Sequence, residues 1–266
     1  MCATCGCGES DFGSGDGHAH AHGHAHAHGH AHAHGHAHAH GHGHGEGGDG
    51  AVRTVELTRR VMARNDALAE ENRRFFQERG ILALNLLSSP GSGKTTLLVE
   101  TIGRFRGGRG VFVIEGDQQT SLDAERIREA GAAAVQINTG KGCHLDAHGI
   151  AHALLELQPA RGSLLFIENV GNLVCPAGFA LGEAHKVVVL SVTEGDDKPL
   201  KYPDAFAAAD LLLLNKIDLL PYVRFDVDRC VANARRVHPG IEVLPLSAIT
   251  GAGLGGWLDW LGSRGP

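Results

Sequence analysis

Ile81-Leu82-Ala83-Leu84-Asn85-Leu86-Leu87, followed by Ser88-Ser89-Pro90-Gly91-Ser92-Gly93-Lys94-Thr95-Thr96, decides the fold. The first part is an apolar run of buried-strand length, and Thr95 to Glu100 opens a helix. Between them lies a phosphate-binding loop of the form G-x-x-x-x-G-K-[ST], with Ser88 at the position where glycine is usual. Such a loop turns consecutive backbone N–H groups onto a phosphate at a helix N-terminus. Gly91, Ser92, Gly93 and Thr96 would form the cradle. Lys94 would reach the β- and γ-phosphates, and the Thr95 hydroxyl would ligate Mg²⁺. A glycine-rich turn without function would not need lysine, threonine, strand and helix together.

Outward from this loop, apolar runs and helical periods alternate. Strands are expected near 81–87, 111–115, 133–137, 163–168, 187–193, 210–215 and 242–246. Helices are expected near 94–105, 121–130, 144–157, 199–208, 226–237 and 253–262. The pattern predicts an α/β fold, a doubly wound, mainly parallel sheet with helices on both faces and ligands at the carboxyl ends of its strands. Asn215-Lys216-Ile217-Asp218 follows one such strand, Leu211 to Leu214. The Asp218 carboxylate can accept from both N1–H and the exocyclic amine of guanine, donors that adenine lacks in that geometry. Asn215 and Lys216 would brace the loop and pack over the base. Ser247-Ala248, after the run from Glu242 to Leu246, would bring a backbone N–H to guanine O6. These elements select GTP and GDP over adenine nucleotides.

Glu168-Asn169-Val170-Gly171 has the spacing of the D-x-x-G element, with glutamate replacing aspartate. The Gly171 N–H would sense the γ-phosphate, and Glu168 would lie close to Mg²⁺. Asp117, in Glu115-Gly116-Asp117-Gln118-Gln119-Thr120, would ligand Mg²⁺ through water or orient the attacking water. Its competing reading is an acidic N-cap before the next helix.

The composition of the 266 residues breaks near residue 50. Residues 1–50 hold almost no large apolar side chains and predict a disordered, Cys/His-rich metal-binding tail. Residues 51–80 predict an N-terminal helix packed on the nucleotide domain, with Leu57, Val61, Leu68, Phe75 and Phe76 at helical spacing and Gly80 at its end. Residues 81–266 form the nucleotide domain. No apolar run is long enough to span a membrane, and no secretory signal is visible, so a cytoplasmic location is expected. The formal charge is −6 with 19 histidines neutral, and roughly a quarter of those histidines would be protonated at pH 7. No basic stripe suited to nucleic acid is present.

Fourteen histidines alternate with Ala and Gly: His18, His20, His22, His24, His26, His28, His30, His32, His34, His36, His38, His40, His42 and His44. Imidazole suits Ni²⁺, Cu²⁺, Zn²⁺ and Co²⁺, and a flexible run would hold many ions with moderate affinity each. A purification tag would be a contiguous block. Cys2, Cys5 and Cys7, beside the α-amino group, offer N/S coordination favouring nickel, and the C-x-x-C spacing also admits a redox reading. Cys143, His144 and Cys175 follow candidate switch segments and suggest a metal site that responds to nucleotide. Three donors leave Zn²⁺ or Ni²⁺ short of a full shell, which water or a second subunit could complete. His148 and His152 read as lining a helix surface, Cys230 as a buried helix residue, and His185 and His238 as surface histidines.

Taken together, the sequence resembles the HypB family of GTPases that help deliver nickel to nickel–iron hydrogenases. The resemblance rests on M-C-x-x-C-G-C-G at 1–8, S-S-P-G-S-G-K-T-T at 88–96, E-G-D-Q-Q-T at 115–120, N-T-G-K-G-C-H-L-D at 138–146, E-N-V-G-N-L-V-C-P at 168–176 and N-K-I-D at 215–218. It implies a metallochaperone domain of the signal-recognition/MinD-like class that forms a GTP-dependent homodimer. It also implies a metal site on Cys143, His144 and Cys175 near the dimer contact, and a nickel site on Cys2, Cys5 and Cys7. The histidine run implies nickel storage. The implied partners are a HypA-type nickel chaperone and the hydrogenase large subunit, with no nucleic acid and no membrane. A urease accessory GTPase and a cobalamin-enzyme chaperone compete within the same fold, although the N-terminal cysteines argue against both. A nickel buffer with an inert nucleotide domain is the reading from a different class.

Overall fold

Near-continuous apolar strands can be buried on both faces only if helices cover both faces, and that is the arrangement of this chain. The computed structural model describes residues 47–105, 108–117, 122–140 and 142–265. Among these residues, seven strands form one sheet: β1 (Leu82–Ser88), β2 (Val111–Asp117), β3 (Ala133–Asn138), β4 (Leu164–Glu168), β5 (His185–Ser191), β6 (Leu211–Asn215) and β7 (Glu242–Pro245). Their order is β3-β2-β4-β1-β5-β6-β7, and every pairing is parallel, where the sequence predicted a mainly parallel sheet. An isolated antiparallel bridge between Ser88 and Asn172 lies outside the strands.

The helices among the described residues are α1 (Gly47–Arg79), α2 (Lys94–Arg104), α3 (Leu122–Glu129), α4 (Ala147–Leu157), α5 (Lys198–Lys201), α6 (Pro203–Ala207), α7 (Val227–Val237) and α8 (Leu254–Ser263). Side-chain alternation sorts them into two layers. Leu82, Leu84 and Leu86 of β1 join Leu97 of α2, Ile127 of α3 and Trp257 of α8 in one core. On the opposite face, Ala83 joins Phe76 of α1 and Ile150 of α4, while Leu87 joins Phe206 of α6 and Cys230 of α7. Asn85 also points to that second face and is fully buried.

Several boundaries differ from the sequence expectation for local reasons. The helix expected near 199–208 is two short helices, because Pro203 pushes Tyr202 out of the helical region, to φ −126 and ψ 55. The helix expected from 144 starts at Ala147, where Asp146 caps it by accepting from the Gly149 N–H at 2.7 Å. That leaves Cys143 and His144 in the preceding loop. The helix α1 ends as Gly80 turns left-handed and the Ile81 N–H reaches Phe76 O at 2.8 Å. His185 is half-buried at the start of β5, against Trp260 and 3.3 Å from Asp210, so it is no open-surface histidine.

Candidate functional site

The phosphate-binding loop joins β1 to α2 at the carboxyl edge of the sheet. Gly93 caps α2 with φ 96, and a Cβ there would lie 2.6 Å from Asn215 Nδ2, so both conformation and close approach require glycine. Ser88 takes the place of the usual glycine as the last residue of β1. Its hydroxyl accepts from Lys94 Nζ at 2.7 Å and donates to Ser89 O at 2.7 Å, so the serine orients the lysine. Lys94 is buried, which lowers its ammonium pKa against the opposing pull of Glu168, Asp123, Glu115 and Glu194.

Opposite this lysine stands a set of carboxylates. Register places Glu115 of β2 beside Glu168 of β4, so the two side chains emerge on the same face. Burial, reinforced by Glu168, Asp117 and Asp123, pushes Glu115 up to about 8. Burial also raises Glu168, with Lys94 opposing. The Oε2 atoms of Glu115 and Glu168 are buried without hydrogen-bond partners. The Thr95 hydroxyl lies 2.8 Å from Glu168 Oε1 and 3.1 Å from Asp123 Oδ2, yet has one hydrogen to donate. Orphaned carboxylate oxygens around a hydroxyl are a donor set for a hard divalent cation. Sequence reasoning named Thr95, Asp117 and Glu168 here and missed Glu115 and Asp123. A cross-strand pairing brings Glu115 in; its place in E-G-D-Q-Q-T had drawn attention only to Asp117. Asp123, in the first turn of α3, looks like an ordinary helix-start acid.

Gly91, Ser92, Gly93, Lys94, Thr95, Thr96, Asp117, Glu168, Gly171 and Lys216 all line one cleft of about 600 Å³. Gly171 sits against the loop, where a Cβ would meet Pro90 Cα at 3.1 Å. At the cleft's far end Asn215, Lys216, Ser247, Ala248 and Ile249 enclose a small recess. Asn215 braces it, with Nδ2 donating to Ser92 O at 2.9 Å and Oδ1 accepting from the Lys216 and Ala248 amides at 2.8 and 3.1 Å. Lys216 adopts φ 62 and donates from Nζ to Gly91 O at 2.7 Å. The Ser247 and Ala248 amides are bonded within the protein, to Ala252 O and Asn215 Oδ1. Asp218 lies in the following 3-10 turn and outside the recess lining, with Oδ1 buried and unpartnered.

The second cluster gathers around Cys175, at the other end of the 168–175 segment. Ligand atoms of Cys143, His144 and Cys175 all fall within 4.8 Å of one another, and Cys143 Sγ is 3.6 Å from His144 Nδ1. The His144 ring lies against Phe179, with centroids 3.9 Å apart. Burial lowers the His144 pKa, against Asp146, which favours the neutral imidazole that binds metals. His148 and His152 stay apart from this group as an exposed pair on α4, with Nε2 atoms 3.2 Å apart. The tail candidates, Cys2, Cys5, Cys7 and the histidines at 18–44, lie outside the described residues.

Residues 168–175 run from cleft to thiols. Asn169 Oδ1 accepts from the Leu145 amide at 3.1 Å, and Asn169 Nδ2 donates to Asn85 Oδ1 at 3.2 Å. Asn85 in turn donates to Glu183 Oε1 at 3.0 Å. Asn172 pairs with Ser88 at the root of the phosphate loop and donates to Cys143 O at 3.4 Å. Motif reading passed over this chain of buried amides, since asparagine in a strand or loop carries no signature of its own.

Residues 82–245 match the family model described as CobW/HypB/UreG, nucleotide-binding domain. The chain is 62% identical over 209 residues to the hydrogenase maturation factor HypB of Rhizobium leguminosarum bv. viciae, covering 79% of this chain and 70% of that protein. It is 40% identical over 210 residues to the probable hydrogenase maturation factor HypB of Methanocaldococcus jannaschii, covering 79% and 95%. Among solved structures it resembles HypB from Archaeoglobus fulgidus, with TM-score 0.70, 43% identity and coverage of 75% and 97%. It also resembles HypB from Helicobacter pylori in complex with nickel, with TM-score 0.71, 40% identity and coverage of 74% and 93%. With the phosphate loop and the nucleotide cleft in place at the edge of a parallel sheet, these likenesses establish that the chain belongs to the HypB hydrogenase maturation factors.

Proposed function

We propose that this protein is a GTP-hydrolysing nickel metallochaperone for the maturation of nickel–iron hydrogenase. One observation carries the reading: a single segment, Glu168 to Cys175, lines the nucleotide cleft at one end and supplies a metal donor at the other. Asp218 reads guanine, its carboxylate accepting from N1–H and the exocyclic amine, which would give the buried Oδ1 a donor. Lys94 neutralises charge on the β- and γ-phosphates, and the Gly171 N–H senses the γ-phosphate. Thr95 and Asp117, with Glu168, Glu115 and Asp123 around them, would hold Mg²⁺. That ion supplies charge neutralisation for phosphoryl transfer, and Asp117 positions the attacking water.

Nickel is the cargo of Cys143, His144 and Cys175, with zinc the other ion suited to two thiolates and an imidazole. Three donors call for a fourth from water or a second copy, which a GTP-dependent homodimer through this face would supply. The Helicobacter pylori relative, whose structure is a complex with nickel, supports the same cargo. Cys2, Cys5 and Cys7 bind nickel tightly, and the histidines from His18 to His44 store it. A HypA-type chaperone and the hydrogenase large subunit stand on either side of this delivery step, in the cytoplasm. No helix among the described residues is long and apolar enough to cross a membrane. The test is Lys94→Ala, with GTP turnover and hydrogenase activation measured in cells lacking their own copy. Turnover should fall by about a hundredfold or more, with hydrogenase activation lost. Wild-type turnover in this variant would remove the catalytic reading.

A further inference from the structure

Helix α1 carries two asparagines, Asn65 and Asn72, two turns apart on one face and 6% and 4% exposed. Buried amides must find partners, and all of theirs lie outside their own helix. Asn65 Oδ1 accepts from the Ala147 N–H at 2.9 Å, and its Nδ2 donates to Ala180 O at 2.9 Å. Asn72 Nδ2 donates to Ala147 O at 2.9 Å and to Leu181 O at 3.1 Å. Ala147 lies three residues after His144, while Ala180 and Leu181 lie five and six residues after Cys175. Each asparagine therefore grips both strips of chain, the one carrying Cys143 and His144 and the one carrying Cys175.

The rest of the packing agrees. Phe179, next to Ala180, lies on the His144 ring. Gly182 turns at φ 97 so close to α1 that a Cβ would meet Ala69 O and Asn72 Cβ at 2.7 Å. Ala147 is the first residue of α4, where an amide has no partner within its own helix. Asn65 satisfies it from across the interface and so anchors the α4 start, and with it the His144 loop, to α1.

We propose that Asn65 and Asn72 are positioning residues for the thiol–imidazole site: through them α1 sets the separation between Cys175 and the Cys143–His144 pair. The inference rests on reading those three side chains as a metal site. A donor set split over two loops binds tightly only if the loops are held at the distance the ion demands, and groups that orient ligands matter nearly as much as the ligands.

Cobalt(II) provides the probe, because a thiolate bound to it gives a ligand-to-metal charge-transfer band that imidazole does not. The parent is the full chain with Cys2→Ser, Cys5→Ser and Cys7→Ser, which leaves Cys143, Cys175 and Cys230 as its thiols. Cys230 is fully buried, and its pKa is pushed up to about 12, so it stays silent. Asn65→Asp keeps the acceptor for Ala147 and loses the donor to Ala180. Asn72→Leu keeps the heavy-atom count and branching, with bulkier methyl ends, and loses both bonds. Each should weaken cobalt binding, read from the band, by about tenfold or more while guanine-nucleotide affinity stays at the parent value. Phe76→Leu, which loosens α1 through its apolar packing, is the control: its band should titrate as in the parent even where its unfolding midpoint falls as far. Parent-like cobalt affinity in both asparagine variants, or an equal loss in Phe76→Leu, overturns the proposal. Should Asn72→Leu fail to fold, Asn65→Asp decides alone. A parent without the band, or one whose band keeps its full intensity in Cys175→Ser, overturns the metal-site reading and the proposal with it. A band that weakens in Cys175→Ser, where Cys143 remains as a single thiolate, and titrates unchanged in the asparagine variants overturns the proposal alone.

Discussion

Glu115 shows how one buried carboxyl in the cleft can be held protonated by its surroundings. In the unfolded chain it titrates near 4.5, and in the fold burial and three acidic neighbours raise it to about 8. Between those values the folded state holds the extra proton, so this group's contribution to stability falls as pH rises from about 4.5 to about 8. At about 1.4 kcal/mol per unit, the full loss is on the order of 5 kcal/mol when no divalent ion is present. Glu115→Gln removes that titration. Urea unfolding with chelator should give nearly equal stabilities for the two proteins at pH 4.5, and a more stable variant at pH 9. An unchanged difference at the two pH values would contradict the account. Asp218 makes the complementary case for specificity. Asp218→Asn cannot accept from both guanine donors, so GTP and GDP binding should weaken and xanthosine nucleotides should gain relative to guanosine ones. Competition binding checks this, and an unaltered ranking would place the base-reading role elsewhere.

Among the elements, the strands and the phosphate loop were legible because their signals are local. Leu211-Leu212-Leu213-Leu214 could hardly be anything but a buried strand, and Gly-Lys-Thr after β1 marks its own geometry. The missed features all depend on elements far apart in sequence. Register puts Glu115 beside Glu168, Asn169 reaches Leu145 across the loops, and Asn65 and Asn72 grip residues 75 to 115 positions away. The apolar stripe of α1 was readable from Leu68, Phe75 and Phe76, while Val61, expected on the same stripe, is exposed; two polar residues on the buried face mean little until their partners are known. The split between α5 and α6 was signalled by Pro203 and outweighed by the helical periodicity on either side. The tight contact between α1 and the chain after the thiol site makes its own prediction. Gly182→Ala forces a side chain into left-handed backbone and against the α1 main chain. It should cost about 2–3 kcal/mol, measured as a lower urea midpoint with an unchanged slope. A neutral result would mean that this contact yields readily.

Across the whole molecule, residues 168–175 link the nucleotide cleft to the thiol cluster. Nucleotide would sit at the carboxyl ends of the strands, against Gly171. The thiol site sits a few residues on, tied back by Asn172 to both Ser88 and Cys143. A γ-phosphate that moves Gly171 would move Cys175 with it, and metal would in turn bias the nucleotide. Linkage requires reciprocity: whatever factor GTP imposes on metal affinity, metal imposes on GTP affinity. A tenfold effect corresponds to about 1.4 kcal/mol, an ordinary coupling energy. The direct test is to titrate nickel and zinc into protein lacking residues 18–44 and carrying Ser at positions 2, 5 and 7, loaded with GDP or with a non-hydrolysable GTP analogue. Affinities at the Cys143, His144 and Cys175 site should differ by about tenfold between the two states, with the same factor recovered when nucleotide is titrated into metal-loaded protein. Identical metal affinities in both states would contradict the coupling.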